Sequence, residues 1–139
     1  MSATHESTTL TVRIDRPPRD VFNYVRNPEN LPRWATSFCR SAHRLAGEWM
    51  IDTVSGPAMI RFLSDNPLGV LDHLLRTASG EEIYVPMRVI ANGSGSEVIF
   101  TLFRLPGTSD EKFAADAEMV RKDLQNLKAE LERAESSAA

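Results

Sequence analysis

The sequence predicts an α+β domain in which a curved antiparallel sheet of about seven strands wraps around a long C-terminal helix. Three observations carry this prediction. An alternating segment opens the chain, several short apolar segments separated by glycine and proline turns follow, and a helical stripe of apolar residues ends it. The turns between the middle segments are too short for parallel crossovers, so neighbouring strands are expected to be antiparallel.

Composition limits the classes of partner. The chain has 139 residues, of which 42% are hydrophobic and 25% are charged, and this predicts a single globular domain over residues 1–139 with loose tails at 1–7 and 135–139. A net charge of −3 argues against nucleic acid and against stable association with an anionic membrane. We find no secretory signal and no apolar run of about 18 residues, so the protein is expected to be cytoplasmic.

The first elements follow directly from residue order. Leu10, Val12 and Ile14 alternate with polar residues and predict a half-buried strand over 8–14. Two prolines, tolerated in a first helical turn, then introduce a short helix over 18–26, and a second helical turn is expected over 28–34.

Six further strands are predicted between turns that contain glycine, proline or both. They cover residues 37–45, 49–54, 58–63, 70–77, 83–90 and 97–104.

The last helix has the strongest pattern. Its apolar residues are spaced alternately by four and three, which predicts one buried face on a helix over 109–133. Thr108 and Glu111 have the spacing of a capping box at its start. The residues of the apolar stripe are Phe113, Ala117, Val120, Leu124, Leu127 and Leu131.

The order of these elements, together with two segments, resembles the START-like superfamily of helix-grip proteins, especially its bacterial polyketide cyclase/dehydrase branch. The segments are TVRIDRPPRDVFNYVRNPENLPRW near the start and GSEVIFTLFRLPGTSDEKFAADAEMVRKDLQNLKAELE at the end. The resemblance covers residues 8–133 and concerns the fold. It implies a cavity between sheet and helix for an apolar or aromatic ligand such as a lipid, a polyketide or an aromatic metabolite.

Charged residues indicate which side of each strand faces water, because they are rarely buried unpaired. Arg40 and Arg44 are assigned outward by this rule, and so is Asp72, which places the alternate residues inside. The predicted ligand-binding residues are Cys39, His43, Trp49, Ile51, Phe62, His73, Met87 and Phe100.

Two of these residues carry possible chemistry. His43 and His73 are predicted to face inward from different strands. They are either hydrogen-bonded core residues or pocket residues that orient a ligand carbonyl or hydroxyl or act as a catalytic general base. No inward carboxylate accompanies them, so no metal site is expected, and no cofactor motif is present. Cys39 is the only cysteine, which excludes an internal disulfide and predicts a small buried side chain.

Three functions remain open at this point. The first is binding of a hydrophobic small molecule, and the second is a cyclase or dehydratase that uses a pocket histidine. The third is an interaction module without a ligand, because outward apolar residues on two strands could form one patch that buries itself in a homodimer. The patch residues are Tyr84, Ile90, Ile99 and Phe103.

Overall fold

The computed structural model describes residues 3–138, with side chains for residues 3–133. Within this range, eight strands and three α-helices follow one another in an order that confirms the predicted fold class. The elements are β1 (Ser7–Ile14), α1 (Pro18–Arg26), a 3-10 turn (Pro28–Asn30), α2 (Leu31–Trp34), β2 (Cys39–Leu45), β3 (Glu48–Thr53), β4 (Gly56–Phe62), β5 (His73–Thr77), β6 (Glu82–Val85), β7 (Met87–Asn92), β8 (Gly95–Phe103) and α3 (Asp110–Ala138).

The strands form two antiparallel sheets. One has the order β1-β8-β7 and the other has the order β2-β3-β4-β5-β6. The strand predicted over 83–90 is divided at Pro86, which has no N–H to donate to a ladder. The carbonyl of Pro86 instead accepts a hydrogen bond from the N–H of Thr101 on β8. The chain therefore passes from one sheet to the other at this proline.

Helix α3 packs its apolar stripe against β1 and α2, as its periodicity predicts. Leu124, Leu127 and Leu131 are almost fully buried. Polar side chains fix the contact at the end of β1, where Lys128 Nζ donates to the carbonyl of Arg13 at 2.9 Å. These contacts place the helix against β1 of the three-stranded sheet and against α2.

The start of α3 differs from the prediction. The hydroxyl oxygen of Ser109 accepts a hydrogen bond from the N–H of Lys112 at 3.1 Å, so Ser109 is the N-cap. The carbonyl of Thr108 accepts from the guanidinium of Arg104 at 2.7 Å, which ties Thr108 to the preceding loop. The predicted capping box between Thr108 and Glu111 is therefore wrong by one residue at the cap.

A β-bulge in β2 reverses the predicted faces of that strand. Cys39 pairs with Thr53, but Ser41 pairs with the very next residue, Asp52, so Arg40 is an extra residue in the ladder. Beyond the bulge His43 is exposed on the outer face, and Arg44 shares the inner face with its cross-strand partner Trp49. The inward assignment of His43 and the outward assignment of Arg44 are both wrong for this reason.

Asp72 faces outward as predicted, yet it is only 5% exposed. Its carboxylate accepts hydrogen bonds from the Tyr84 hydroxyl at 2.5 Å, the Met87 N–H at 2.9 Å and the Arg88 guanidinium at 2.9 Å. Tyr84 belongs to β6, whereas Met87 and Arg88 belong to β7. This carboxylate therefore joins the two strands on either side of Pro86.

The loop before Asp72 is shaped by Asn66 and Gly69. The side-chain oxygen of Asn66 accepts from the N–H groups of Leu68 and Val70, at 3.0 and 3.1 Å. Gly69 has a φ of +76°, and a Cβ at this position would lie 2.2 Å from the carbonyl oxygen of Val89. Only glycine fits so close to β7, so this residue allows the loop to pair with that strand.

Regular structure extends into both segments for which loose tails are predicted. The carbonyl of Glu6 accepts from the N–H of Arg104, and Ser7 already pairs with Phe103. Helix α3 continues to Ala138. Residues 1, 2 and 139 lie outside the described residues. None of the helices in the described range is long and apolar enough to cross a membrane.

The outward apolar residues do not form the continuous patch that the sequence predicts. Tyr84 and Ile90 lie in different sheets because the strand is divided at Pro86. Ile90 is paired with Glu97, and Arg88 lies opposite Ile99, so charged side chains separate the apolar ones. Phe103 is 39% exposed at the far end of β8. A homodimer through these residues stays a prediction.

The Asp72 network generates a test of stability. Burial alone would raise the pKa of the Asp72 carboxyl, but hydrogen bonds from Arg88, Tyr84 and the Met87 N–H outweigh burial and lower it. We expect Asp72→Asn to reduce the free energy of unfolding by about 1–3 kcal/mol at neutral pH, because charge-assisted hydrogen bonds to a buried group are lost. Urea unfolding measures this loss.

The control for this experiment is Asp65→Asn, which removes a carboxylate that is 71% exposed and paired with Arg19. Its effect should stay within about 0.5 kcal/mol. The difference between the two variants should shrink as the pH falls through the lowered pKa of Asp72, since the wild-type carboxylate then loses its charge. Equal losses at neutral pH would contradict a structural role for Asp72.

Candidate functional site

A cleft of about 490 Å³ opens between the inner face of the five-stranded sheet and the end of α1. Its floor consists of Trp49 from β3 with Ile60 and Phe62 from β4. Trp49 and Ile60 are cross-strand partners, and Phe62 follows Ile60 by two residues on the same face. The sheet therefore presents two aromatic rings and one aliphatic side chain side by side.

The wall opposite the sheet comes from α1. The helix buries Val21, Phe22 and Val25 in the core. In this orientation about its axis, Asn23 and Arg26 line the cleft. Arg26 is held in place because its Nε donates to the carbonyl of Leu63 at 3.3 Å.

Arg44 reaches the cleft because of the bulge in β2. Its guanidinium lies over the ring of Trp49, with the guanidinium carbon 5.7 Å from the ring centroid. This is a cation–π contact, which orients the side chain without using its hydrogen-bond donors. The cation thus lies beside the aromatic floor with free N–H groups.

Two acidic residues complete the rim, and both are already paired. Glu48 accepts from Arg61 at 2.7 Å, and Asp65 accepts from Arg19 at 3.3 Å. Glu48, Asp65 and Arg61 line the cleft together with Arg26 and Arg44, so the lining carries one net positive charge.

His73 lies beside Phe62 on the same face of the sheet. It is the cross-strand partner of Phe62, and the two ring centroids are 4.7 Å apart. The ring of Phe100 lies on another side, at 6.4 Å. The Nδ1 atom is 3.0 Å from the carbonyl of Leu71, which assigns the proton to Nδ1 in the neutral imidazole. Within the described residues Nε2 has no hydrogen-bond partner, so it is a free acceptor.

The other predicted site residues separate into two groups. Cys39, Ile51 and Met87 are almost fully buried in the core and do not line the cleft. Burial raises the pKa of the Cys39 thiol to about 11, which keeps it protonated and unreactive. His43 is exposed on the outer face and does not line the cleft. Of the predicted set, Trp49 and Phe62 line the cleft and His73 contacts one of them.

Sequence reasoning misses the polar half of the site. The charge rule assigns Arg44 outward because nothing in the pattern marks the extra residue at Arg40 as a bulge. Arg26 lies on the polar side of a short amphipathic helix, and such residues normally face solvent. Pro28 is the available signal, since α1 ends at Arg26, two residues before it.

Several solved structures have the same architecture. The Bacillus cereus protein XoxI aligns with a TM-score of 0.69 at 17% identity, over 88% of this chain and 93% of XoxI. Ara h 8.0201 aligns with a TM-score of 0.65 at 13% identity, over 89% of this chain and 95% of its own. DynU16, a protein in the dynemicin biosynthetic locus, aligns with a TM-score of 0.66 at 16% identity, over 91% of this chain and 47% of its own.

At these identities the likeness shows the fold alone, which is the helix-grip fold. No protein-family model matches this chain, and no curated protein sequence matches it.

The buried imidazole generates a prediction about acid stability. Burial lowers the pKa of His73 from 6.5 to about 4. As the pH falls through 6.5, this histidine becomes protonated in the unfolded chain. In the folded chain it stays neutral until about pH 4. The free energy of unfolding should therefore decrease over this interval.

Urea unfolding at several pH values measures this effect. The His73→Phe variant keeps an aromatic ring between Phe62 and Phe100 and should show a smaller decrease between pH 6.5 and about 4. The exposed His43→Gln variant is the matched control and should retain the wild-type dependence. An unchanged slope in His73→Phe would contradict a buried neutral imidazole.

Proposed function

We propose that this protein binds a small molecule with a flat apolar body in the cleft above Trp49 and Phe62. The observation that carries the proposal is the aromatic floor on an open concave sheet face. Its volume of about 490 Å³ lies in the range of small-molecule sites, and polar and charged side chains form most of the lining around the apolar floor.

The shape of the site favours an aromatic metabolite or a folded polyketide over a long lipid chain. Ile51, Leu75 and Met87 fill the interior behind the floor and are buried with the helix residues Leu124 and Leu127. A long lipid chain needs an enclosed apolar channel, whereas an aromatic metabolite or a folded polyketide fits an open cleft with a flat floor. The position of DynU16 in a biosynthetic locus supports a biosynthetic small molecule of this kind.

Replacement of Trp49 in the aromatic floor, followed by measurement of probe binding, tests this proposal. We expect the neutral probe N-phenyl-1-naphthylamine to bind with one-to-one stoichiometry and to gain fluorescence. Trp49→Ala should weaken this binding about tenfold, since it removes the largest aromatic surface in the cleft.

Phe103→Ala is the control, because it removes an exposed aromatic side chain outside the cleft. It should leave the dissociation constant unchanged. If Trp49→Ala binds the probe like the parent protein while its thermal melt is unchanged, the cleft is not the binding site.

A second candidate function is cyclisation of a poly-carbonyl substrate, and the free Nε2 of His73 favours it. Nε2 would accept a proton from a carbon next to a carbonyl, and the resulting enolate carbon would bond to a second carbonyl carbon. The proton would return to the new alkoxide, and loss of water would give an enone. His73 is buried and does not itself line the cleft, so this scheme requires the Phe62 ring, which lines the cleft and contacts the imidazole, to move aside.

Heptane-2,6-dione tests this chemistry, because its cyclisation and dehydration give 3-methylcyclohex-2-enone, which is followed by ultraviolet absorbance. If His73 is the base, the rate should stay constant down to about pH 4, where the imidazole takes up a proton. His73→Gln should abolish the acceleration, and His43→Gln should retain it. No acceleration by the parent protein would contradict this activity. Equal rates in the two variants would contradict the role of His73 as the base.

A further inference from the structure

We infer that the ligand of this cleft carries an anionic oxygen group, such as a carboxylate, which Arg26 and Arg44 hold while its apolar body lies on Trp49. This inference rests on the proposed binding function and specifies the ligand class.

The first argument is the pairing of the charged side chains in the cleft. Arg61 is neutralised by Glu48, and Asp65 is neutralised by Arg19. Within the described residues, Arg26 and Arg44 have no carboxylate partner. The two unpaired cations therefore line the same cleft, and its acidic groups are already engaged.

The second argument is the number of free donors. A guanidinium has five N–H donors in a planar fork that matches the two oxygens of a carboxylate. Arg26 uses Nε on the carbonyl of Leu63, which leaves its two terminal nitrogens free. Among the residues that the structure describes, Arg44 contacts only the ring of Trp49, so none of its donors is used there.

The third argument is the position of these donors relative to the floor. The guanidinium of Arg44 already lies against the Trp49 ring, so a ligand ring beside it would place a carboxyl substituent within reach of the fork. Arg26 faces the sheet from α1, and its contact with the Leu63 carbonyl limits its freedom. Both side chains are therefore partly ordered before the ligand binds, so binding should cost less side-chain conformational entropy.

The excess of positive charge is confined to the cleft and is not a property of the whole chain. The chain has 19 acidic and 16 basic residues, so its overall field repels anions weakly. Arg13 also has no carboxylate partner in the described range, but it lies on the exposed side of β1, outside the cleft. It therefore serves as a matched control for the loss of one positive charge.

Calorimetric titration with two probes of nearly equal shape tests the inference. The probes are 2-naphthoate, which is anionic, and 2-naphthylmethanol, which is neutral. We expect the parent protein to bind 2-naphthoate about tenfold more tightly, as charge-assisted hydrogen bonds of this kind produce. The preference should weaken at high salt, since the cleft is open to solvent.

The variants assign the preference to particular residues. Arg44→Gln should remove most of the preference for 2-naphthoate, because it should weaken binding of 2-naphthoate much more than binding of 2-naphthylmethanol, and Arg26→Gln should act in the same direction. Arg44→Lys should recover part of the preference, because it retains the charge but not the fork. Arg13→Gln should retain the full preference.

The outcomes separate the inference from the proposed function. Equal affinity of the parent protein for both probes would overturn the anionic ligand class and leave apolar binding intact. An equal loss in Arg13→Gln and Arg44→Gln would overturn direct contact by Arg44. Binding of neither probe would overturn the binding function together with the inference. If Arg26→Gln does not fold, Arg44→Gln decides alone, since its guanidinium makes no hydrogen bond within the described residues.

Discussion

The buried carboxylate of Asp72 is the interaction on which the arrangement of the two sheets depends. Pro86 ends one strand and begins another, so the backbone ladder of the sheet cannot continue through it. Asp72 accepts hydrogen bonds from Tyr84 before the proline and from Met87 and Arg88 after it. A side chain thus supplies the connection that the interrupted ladder does not.

The same residue determines what lies on the inner face. Neighbouring residues in an extended segment point to opposite sides, so an anchored Asp72 outside holds His73 inside. His73 is then packed between Phe62 and Phe100, where burial keeps its imidazole neutral. The hydrogen bonds of Asp72 on the outer face therefore also fix the position of His73 in the inner aromatic cluster.

The cleft combines two environments that arise from different causes. Its apolar floor follows from regular alternation along β3 and β4, which places Trp49, Ile60 and Phe62 together. Its cationic side follows from an irregularity, since the bulge at Arg40 brings Arg44 over the Trp49 ring. The two proposed functions would use different parts of the site. Binding would use the floor and the two arginines, whereas catalysis would also use His73, which contacts Phe62.

Much of the fold could be predicted from the sequence because periodicity and turn residues act locally. The stripe of Leu124, Leu127 and Leu131 is enough to predict a docked helix, and the alternation of β3 and β4 is enough to place Trp49 and Phe62 on the inner face. The division of one strand was less accessible, because Pro86 is compatible with an edge strand as well as with a break.

The polar half of the site was decided by tertiary structure. A bulge is one extra residue in one strand, and it leaves no mark in the alternation of that strand alone. It places His43 on the outer face and Arg44 on the inner face. The inner face therefore carries a cationic side chain where the sequence predicts a general base. Asp72 likewise has the pattern of an ordinary surface carboxylate until Tyr84 and Arg88 approach it from the other side of Pro86. Sequence thus determined which local elements form and which faces are apolar, whereas strand pairing decided which charged groups those faces meet.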